Sequence, residues 1–130
     1  DLDVTSPLRL VKDITGAYEQ FAREDADILI TACSSRKNPY FNMVENVNGL
    51  IQIVKQLDKP IVRRQDAPKV FDMNASMYIW KRKALLEYDT LFTDKTALYV
   101  MPEERSVDID TEQDWNNVEY MIGKSADFND

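Results

Sequence analysis

The 130-residue sequence contains no histidine, one cysteine and three glycines. Without imidazole, histidine acid–base catalysis and histidine-held metal sites are excluded. A single thiol, Cys33, forbids an internal disulfide and a cysteine-rich zinc site. It ends the apolar run Ile28-Leu29-Ile30-Thr31-Ala32-Cys33, so a buried structural thiol is expected there rather than a nucleophile. Glycines at 16, 49 and 123 make no glycine-rich phosphate loop. No apolar run approaches the ~20 residues of a membrane-spanning helix. Basic residues are outnumbered, 16 Lys+Arg against 23 Asp+Glu, for a net charge of −7. Broad binding to a nucleic-acid backbone needs a basic face and is not expected. A cytoplasmic protein without membrane association is the reading these absences leave.

What is present suffices for one globular domain, since 44% of the residues are hydrophobic and 30% charged. Leu2 and Val4 read as the end of an extended segment, and Thr5-Ser6-Pro7 as a turn. Over 10–23, Val11, Ile14, Tyr18 and Phe21 recur at helical spacing, with Lys12, Asp13, Glu19 and Gln20 off that face. Gly16 sits inside this helix at a small cost. A buried strand comes next over 27–33, and strand–helix–strand at this spacing predicts a βαβ unit with a parallel pair. Stretches 43–47 and 50–54 flank Asn48-Gly49, a strong hairpin signal. The polar stretch 59–68 carries Arg63, Arg64 and Gln65 together. A strand over 76–80, a short helix over 81–88 and a strand over 96–101 complete the middle of the chain. Thr111 opens a last helix that places Trp115, Val118 and Ile122 on one face and ends at Gly123. The tail 124–130 is expected to fray. The expected fold class is α/β, a mostly parallel sheet with flanking helices and an inserted hairpin.

The stretch Arg105-Ser106-Val107-Asp108-Ile109-Asp110-Thr111 carries the most chemistry. It joins an apolar strand, stopped by Pro102, to a helix with Asp114 three residues after Thr111, an acidic variant of the capping box. In extended backbone alternate side chains share a side, so Asp108 and Asp110 are expected to face one way and Ile109 the core. Paired hard oxygens suit Mg²⁺, which takes one or two carboxylates plus substrate phosphates. The plain alternative makes Asp108 a turn residue and Asp110 a surface acid. Ligands of open α/β sheets bind beyond the carboxyl ends of strands, where Thr5-Ser6-Pro7, 34–37 and Asp108 all fall.

Thr5-Ser6-Pro7-Leu8-Arg9, Asn74-Ala75-Ser76-Met77-Tyr78-Ile79 and Ser106-Val107-Asp108-Ile109-Asp110-Thr111 with Asp114, in this order and spacing, resemble the acylneuraminate cytidylyltransferases, or CMP-sialic acid synthetases. Leu2 to Arg9 and Asn38-Pro39-Tyr40-Phe41-Asn42-Met43-Val44-Glu45 look most like the legionaminic acid branch, with sialic and pseudaminic acid as close competitors. The resemblance implies a nucleotide-diphospho-sugar transferase-like fold. It also implies Mg²⁺-dependent transfer of CMP from CTP to a nine-carbon 2-keto sugar acid, with release of pyrophosphate. Asp108 and Asp110 would bind the metal, and Asp110 would take the proton from the attacking hydroxyl. Arg64 and Gln65 match positions on a dimerisation arm, about 38–73, that reaches the sugar site of the second subunit of a homodimer. A guanidinium suits the sugar carboxylate because it pairs bidentately, although Arg63 and Arg64 also fit a solvated basic turn. Asn74 and Tyr78 match the substrate-side strand, and Thr5, Ser6 and Arg9 are candidates for cofactor binding. Asp3 stands where many relatives carry Gln, Asp72 where sialic acid-specific relatives carry a basic residue, and Ala75 where they carry glycine. These departures point to a different sugar. The family's N-terminal basic, glycine-containing loop has no counterpart, so residues 1–130 look like the C-terminal part of a single cytidylyltransferase domain that is inactive alone.

Other readings stay open. A haloacid dehalogenase-type D-x-D-x-T is disfavoured because Glu112 stands two residues after Asp110. A metal-dependent glycosyltransferase would carry its D-x-D at the end of a mid-chain strand. A non-catalytic dimerising module would keep the fold and arm alone.

Overall fold

The computed structural model describes residues 1–59 and 61–124; the expected frayed tail lies, after Lys124, outside them. The chain divides into two compact units, the first made of Asp1–Cys33 with Met73–Asp130, the second of Ser34–Asp72.

The first unit is an α/β layer structure around β1 (Ile28–Ser34), whose first six residues are buried. A strand covered on both faces reads as a continuous apolar run, which is why 28–33 shows no polar alternation. The sheet order is β4 (Phe71–Trp80), β1, β5 (Thr96–Val100), with β1 and β5 parallel in the register Leu29↔Ala97 and Thr31↔Tyr99. Side chains then sort by parity. Leu29, Met77 and Ala97 join Ala17 and Ala26 on one face, under Ile14 and Phe21 of α1 (Val11–Arg23). Ile28 and Ile30 join Ala84 of α2 (Arg82–Glu87) on the other, with Tyr78, Trp80 and Leu98 around them. α3 (Glu112–Lys124) closes the unit, with Val118 buried and Ile122 half-buried.

Two expectations are corrected. The N-terminal segment does not pair in parallel with β1. Leu2 bridges Met77 antiparallel, and Asp1 and Tyr78 exchange backbone hydrogen bonds at 2.9 and 3.0 Å. Both edges of β1 are already taken by β4 and β5; the segment sits instead on the outer edge of β4, and the sheet is mixed rather than mostly parallel. The buried stripe of α1 is also rotated from the expected one. Val11 and Tyr18 are 76% and 62% exposed, while Asp13 and Ala17 are buried. Small residues turn inward there because Tyr99 of β5 lies against the helix, its hydroxyl 2.7 Å from where a Cβ on Gly16 would stand.

The C-terminus of α1 shows how a non-glycine ends a helix. Asp25 adopts φ +47°, with its amide donating to Ala22 and the Ala26 amide to Phe21, the Schellman arrangement. Its carboxylate accepts from Lys81 at 2.6 Å and Lys95 at 3.2 Å, and these two partners hold it below the ordinary carboxylate range.

The second unit contains the hairpin of β2 (Val44–Val47) and β3 (Leu50–Ile53), antiparallel with Val47 opposite Leu50. Asn48 and Gly49 take φ +53° and +88°, the positive pair a two-residue primed turn needs. Asn38 organises the preceding loop, accepting from the Tyr40 amide and donating to the Pro68 carbonyl, both at 2.9 Å.

Helix propensity alone makes Gly16→Ala stabilising by about 1 kcal/mol. The Tyr99 hydroxyl reverses that sign, since overpacking costs about 1–3 kcal/mol. Urea unfolding of Gly16→Ala is expected to show a net loss of stability that shrinks in a Tyr99→Phe background; a gain in the parent background would contradict the close packing.

Candidate functional site

β5 runs on by one bond, the Met101 amide donating to the Ala32 carbonyl at 2.8 Å, before Pro102 stops it. A single 3₁₀ turn, Glu103–Arg105, then redirects the chain, and three ties fix the path from there to the last helix. Arg105 donates through Nε and Nη2 to Oδ2 and Oδ1 of Asp13 at 2.8 and 2.7 Å. The Ser106 hydroxyl donates to the Pro102 carbonyl at 2.8 Å and accepts from Asn74 Nδ2 at 2.9 Å. The Ile109 amide donates to the Thr5 carbonyl at 2.9 Å. Asp108 lies between the last two ties. At Thr111 the capping box forms: its amide and hydroxyl donate to Asp114 Oδ2 at 2.9 and 2.6 Å, and the Asp114 amide donates back to Thr111 Oγ1 at 3.2 Å.

The segment 3–9 is built into the same network. The Thr5 amide and hydroxyl both donate to Asp3 Oδ1, at 3.0 and 2.8 Å, and hold that carboxylate below its ordinary range. Ser6 is wholly buried and donates to the Asn74 carbonyl at 3.2 Å. Arg9 Nη1 donates to the carbonyls of Ser6 and Ser76 at 2.9 and 3.0 Å. Asn74 Oδ1 accepts from the Ser76 amide at 3.2 Å, and Ala75 between them takes φ +50°, a conformation that glycine adopts more readily. Thr5, Ser6, Arg9, Asn74 and Asp108 are therefore gathered into one place in the first unit.

The other candidates have other surroundings. Tyr78 stacks on Trp80 at 5.4 Å within the apolar cluster under α2. Arg64 and Gln65 are exposed on a 3₁₀ turn of the second unit, where Arg64 Nη2 donates to the Arg36 carbonyl at 2.8 Å.

Asp108 and Asp110 differ in environment. Asp110 is exposed and Asp108 half-buried, with Oδ1 shut off from solvent and without a hydrogen-bond partner. Ile109 between them lines an apolar cleft of about 330 Å³ with Val4, Pro7, Trp115 and Val118. Among the described residues no group of three or more His, Cys, Asp or Glu side chains gathers into a metal cage. A shielded carboxylate oxygen left unpaired is costly until a cation or proton joins it. One or two carboxylates, with the remaining positions left to water and phosphate, is the donor set Mg²⁺ takes. The residues present fit that ion.

Asp13 and Arg105 were not singled out from the sequence. Asp13 stands where an acid caps a helix N-terminus, its Oδ2 accepting the Leu10 amide at 2.9 Å, and that local pattern was legible. Its partner 92 residues away was not. Burial, the largest single influence, pushes the Asp13 pKa up, but the Arg105 hydrogen bonds, the Leu10 amide and the charges of Arg105 and Lys12 together outweigh it and hold the carboxyl below its ordinary range. The same pairing raises Arg105 further.

A carboxylate whose folded pKa is depressed contributes stability that is complete above its unfolded pKa and is lost as pH falls through the folded one. Stability should therefore decline below about pH 4, and part of that decline should vanish in Asp13→Asn. Arg105→Ala, which strands a buried charge, should cost about 3–5 kcal/mol at neutral pH. Urea midpoints across pH for the three proteins check both; an acid limb unchanged by Asp13→Asn would contradict the assignment.

No family model matches the chain. A CMP-N,N'-diacetyllegionaminic acid synthase of Campylobacter jejuni subsp. jejuni is 49% identical over 122 residues, 94% of this chain and 51% of that protein. Post-translational flagellin modification protein B of Campylobacter coli is 44% identical over the same shares. An N-acylneuraminate cytidylyltransferase of Streptococcus agalactiae is 31% identical over 117 residues, 90% of this chain and 28% of that protein. The chain thus spans about half the length of these two Campylobacter relatives. Over that span it is similar to proteins named as a CMP-N,N'-diacetyllegionaminic acid synthase and as N-acylneuraminate cytidylyltransferases.

Proposed function

We propose that this chain takes part in transferring CMP from CTP to a nine-carbon 2-keto sugar acid, with release of pyrophosphate. A legionaminic acid is favoured over a sialic acid, because identity is 49% to a relative named for the first and 31% to one named for the second. The single structural observation behind this reading is the shielded, unpartnered Oδ1 of Asp108 on a loop hydrogen-bonded to Thr5. Asp108 would hold Mg²⁺ with Asp110, and a bound ion would neutralise charge on the nucleotide phosphates. The exposed Asp110 is accessible to take the proton of the sugar's attacking hydroxyl. Ser6, Arg9 and Asn74 do not need to touch substrate to matter here. They brace the backbone that carries Thr5 and Asp108, and misplacement by even 1 Å can cost about a hundredfold in rate. Arg64 and Gln65, exposed on the second unit, are proposed to meet the sugar carboxylate.

The proposed assembly is a homodimer through that unit, within a nucleotide-diphospho-sugar transferase-like fold. Val44, Leu50 and Ile51 on the hairpin are 62%, 73% and 66% exposed. A two-stranded hairpin is marginal by itself, and this one exposes apolar side chains on both faces, Val44 and Ile51 on one and Leu50 on the other, which suits burial against a second copy. No helix among the described residues is long and apolar enough to cross a membrane. The buried thiol of Cys33 suits a reducing cytoplasm.

In a polypeptide long enough to carry the activity, Mg²⁺ with CTP should raise the thermal midpoint, since a ligand stabilises the state it binds, by about 2.7 kcal/mol at a hundred times Kd. Protection by a UDP-sugar with Mn²⁺ instead would overturn the reading. In whatever length of polypeptide carries the activity, Asp108→Ala is expected to abolish Mg²⁺-dependent pyrophosphate release while circular dichroism stays unchanged. Sedimentation of a Leu50→Lys, Ile51→Lys variant should show monomer where the parent shows dimer.

A further inference from the structure

We propose that the Asp13–Arg105 ion pair is a positioning device for the Asp108 carboxylate, so that the first turn of α1 sets divalent-cation affinity. The proposal rests on the metal reading of Asp108 under Proposed function. Arg105 precedes Asp108 by three residues, and its side chain is 14% exposed against 1% for that of Asp13. Both oxygens of Asp13 are used: Oδ1 and Oδ2 accept from Arg105, and Oδ2 also takes the Leu10 amide. The loop cannot shift along α1 without breaking the bidentate pair, and the Leu10 amide holds the Asp13 carboxylate in place to receive it. Downstream, the Ile109 amide is tied to Thr5. Asp108 is thus suspended between the Arg105 and Ser106 ties on one side and the Ile109 tie on the other, with one oxygen shielded and unpartnered.

Stability alone does not account for such a pair. Desolvating two charges offsets most of their attraction, and well-packed apolar replacements are often neutral or stabilising. What apolar residues cannot reproduce is the direction of a planar fork, which fixes both the distance and the rotation of the loop relative to the helix. Groups that orient a metal ligand from outside its coordination sphere typically change affinity by about ten- to a hundredfold when replaced.

The test compares Mn²⁺ affinity, read from water-proton relaxation of the full chain, with thermal midpoint. The parent, Asp13→Leu with Arg105→Met, and Asp108→Asn are measured together. The double variant is expected to melt at or above the parent temperature yet bind Mn²⁺ about ten- to a hundredfold more weakly. Should the double variant not fold, Arg105→Lys takes its place; it keeps the charge, loses the fork, and should weaken Mn²⁺ with little change in melting. Parent-like Mn²⁺ affinity in a folded variant overturns the positioning role and leaves the pair a structural one. If the parent binds no Mn²⁺, or binds it as well with Asp108→Asn, the metal reading falls and this proposal falls with it.

Discussion

The bidentate contact of Arg105 with Asp13 joins the first turn of α1 to the loop that leaves β5. Remove it and the junction loosens at both ends. The Leu10 amide loses its cap only if Asp13 moves, but the 102–109 loop loses its charged, two-pronged anchor to α1 at once. The partner contact lower on the helix is steric: Tyr99 against Gly16, one turn further along. Its phenol is raised above the ordinary tyrosine pKa by burial first and by the Asp13 charge second. Polar fork and aromatic ring together fix where α1 sits on β5. A helix held only by its apolar stripe could roll by a residue, and the exposed Val11 and Tyr18 show that this one has turned toward its small and charged residues instead.

From that junction the remaining ties run as a chain of backbone carbonyls. Ser6 takes the carbonyl of Asn74; Arg9 takes those of Ser6 and Ser76; Asn74 reaches Ser106. Nearly every polar side chain in this network is spent on main chain, so its effect is to hold loop shapes that have no ladder of their own. Ala75 shows the strain such a network can hold. At φ +50° an alanine costs on the order of 1 kcal/mol relative to an unstrained residue, and it persists because Asn74 and Ser76 are pinned on both sides.

Legibility in the sequence tracked the range of the interactions. The Asn48-Gly49 turn, the Thr111–Asp114 box and the buried run 28–33 each declare themselves within a few residues, and each is present. What failed was decided by partners far along the chain. The antiparallel seat of Leu2 depends on which edge of the sheet is vacant, a property of β4 and β5 and not of residues 1–7. The inward turn of Asp13 depends on Arg105, and hydropathy put it on the wet face because a carboxylate is rarely buried unless paired. Asp108 and Asp110 were legible as a pair, while their unequal exposure was not, since it arises from how Thr5 and the Ser106 hydroxyl draw the loop in.

Charge poses the remaining constraint on the proposed chemistry. A chain with net charge −7 repels a nucleotide triphosphate at long range, and the candidate site adds two carboxylates to that field. Of the cations in the network, Arg105 is neutralised by Asp13 and Arg9 is occupied by carbonyls. Neither is available to bind phosphate without dismantling the loop it supports. Attraction for an anionic substrate in this unit must then come from something other than these arginines, and the shielded oxygen of Asp108 identifies the point where positive charge is wanted. A divalent cation at that point would resolve both difficulties together, pairing the carboxylate and reversing the local sign seen by phosphate. The arginines are committed to shape, which would leave the acids to such an ion.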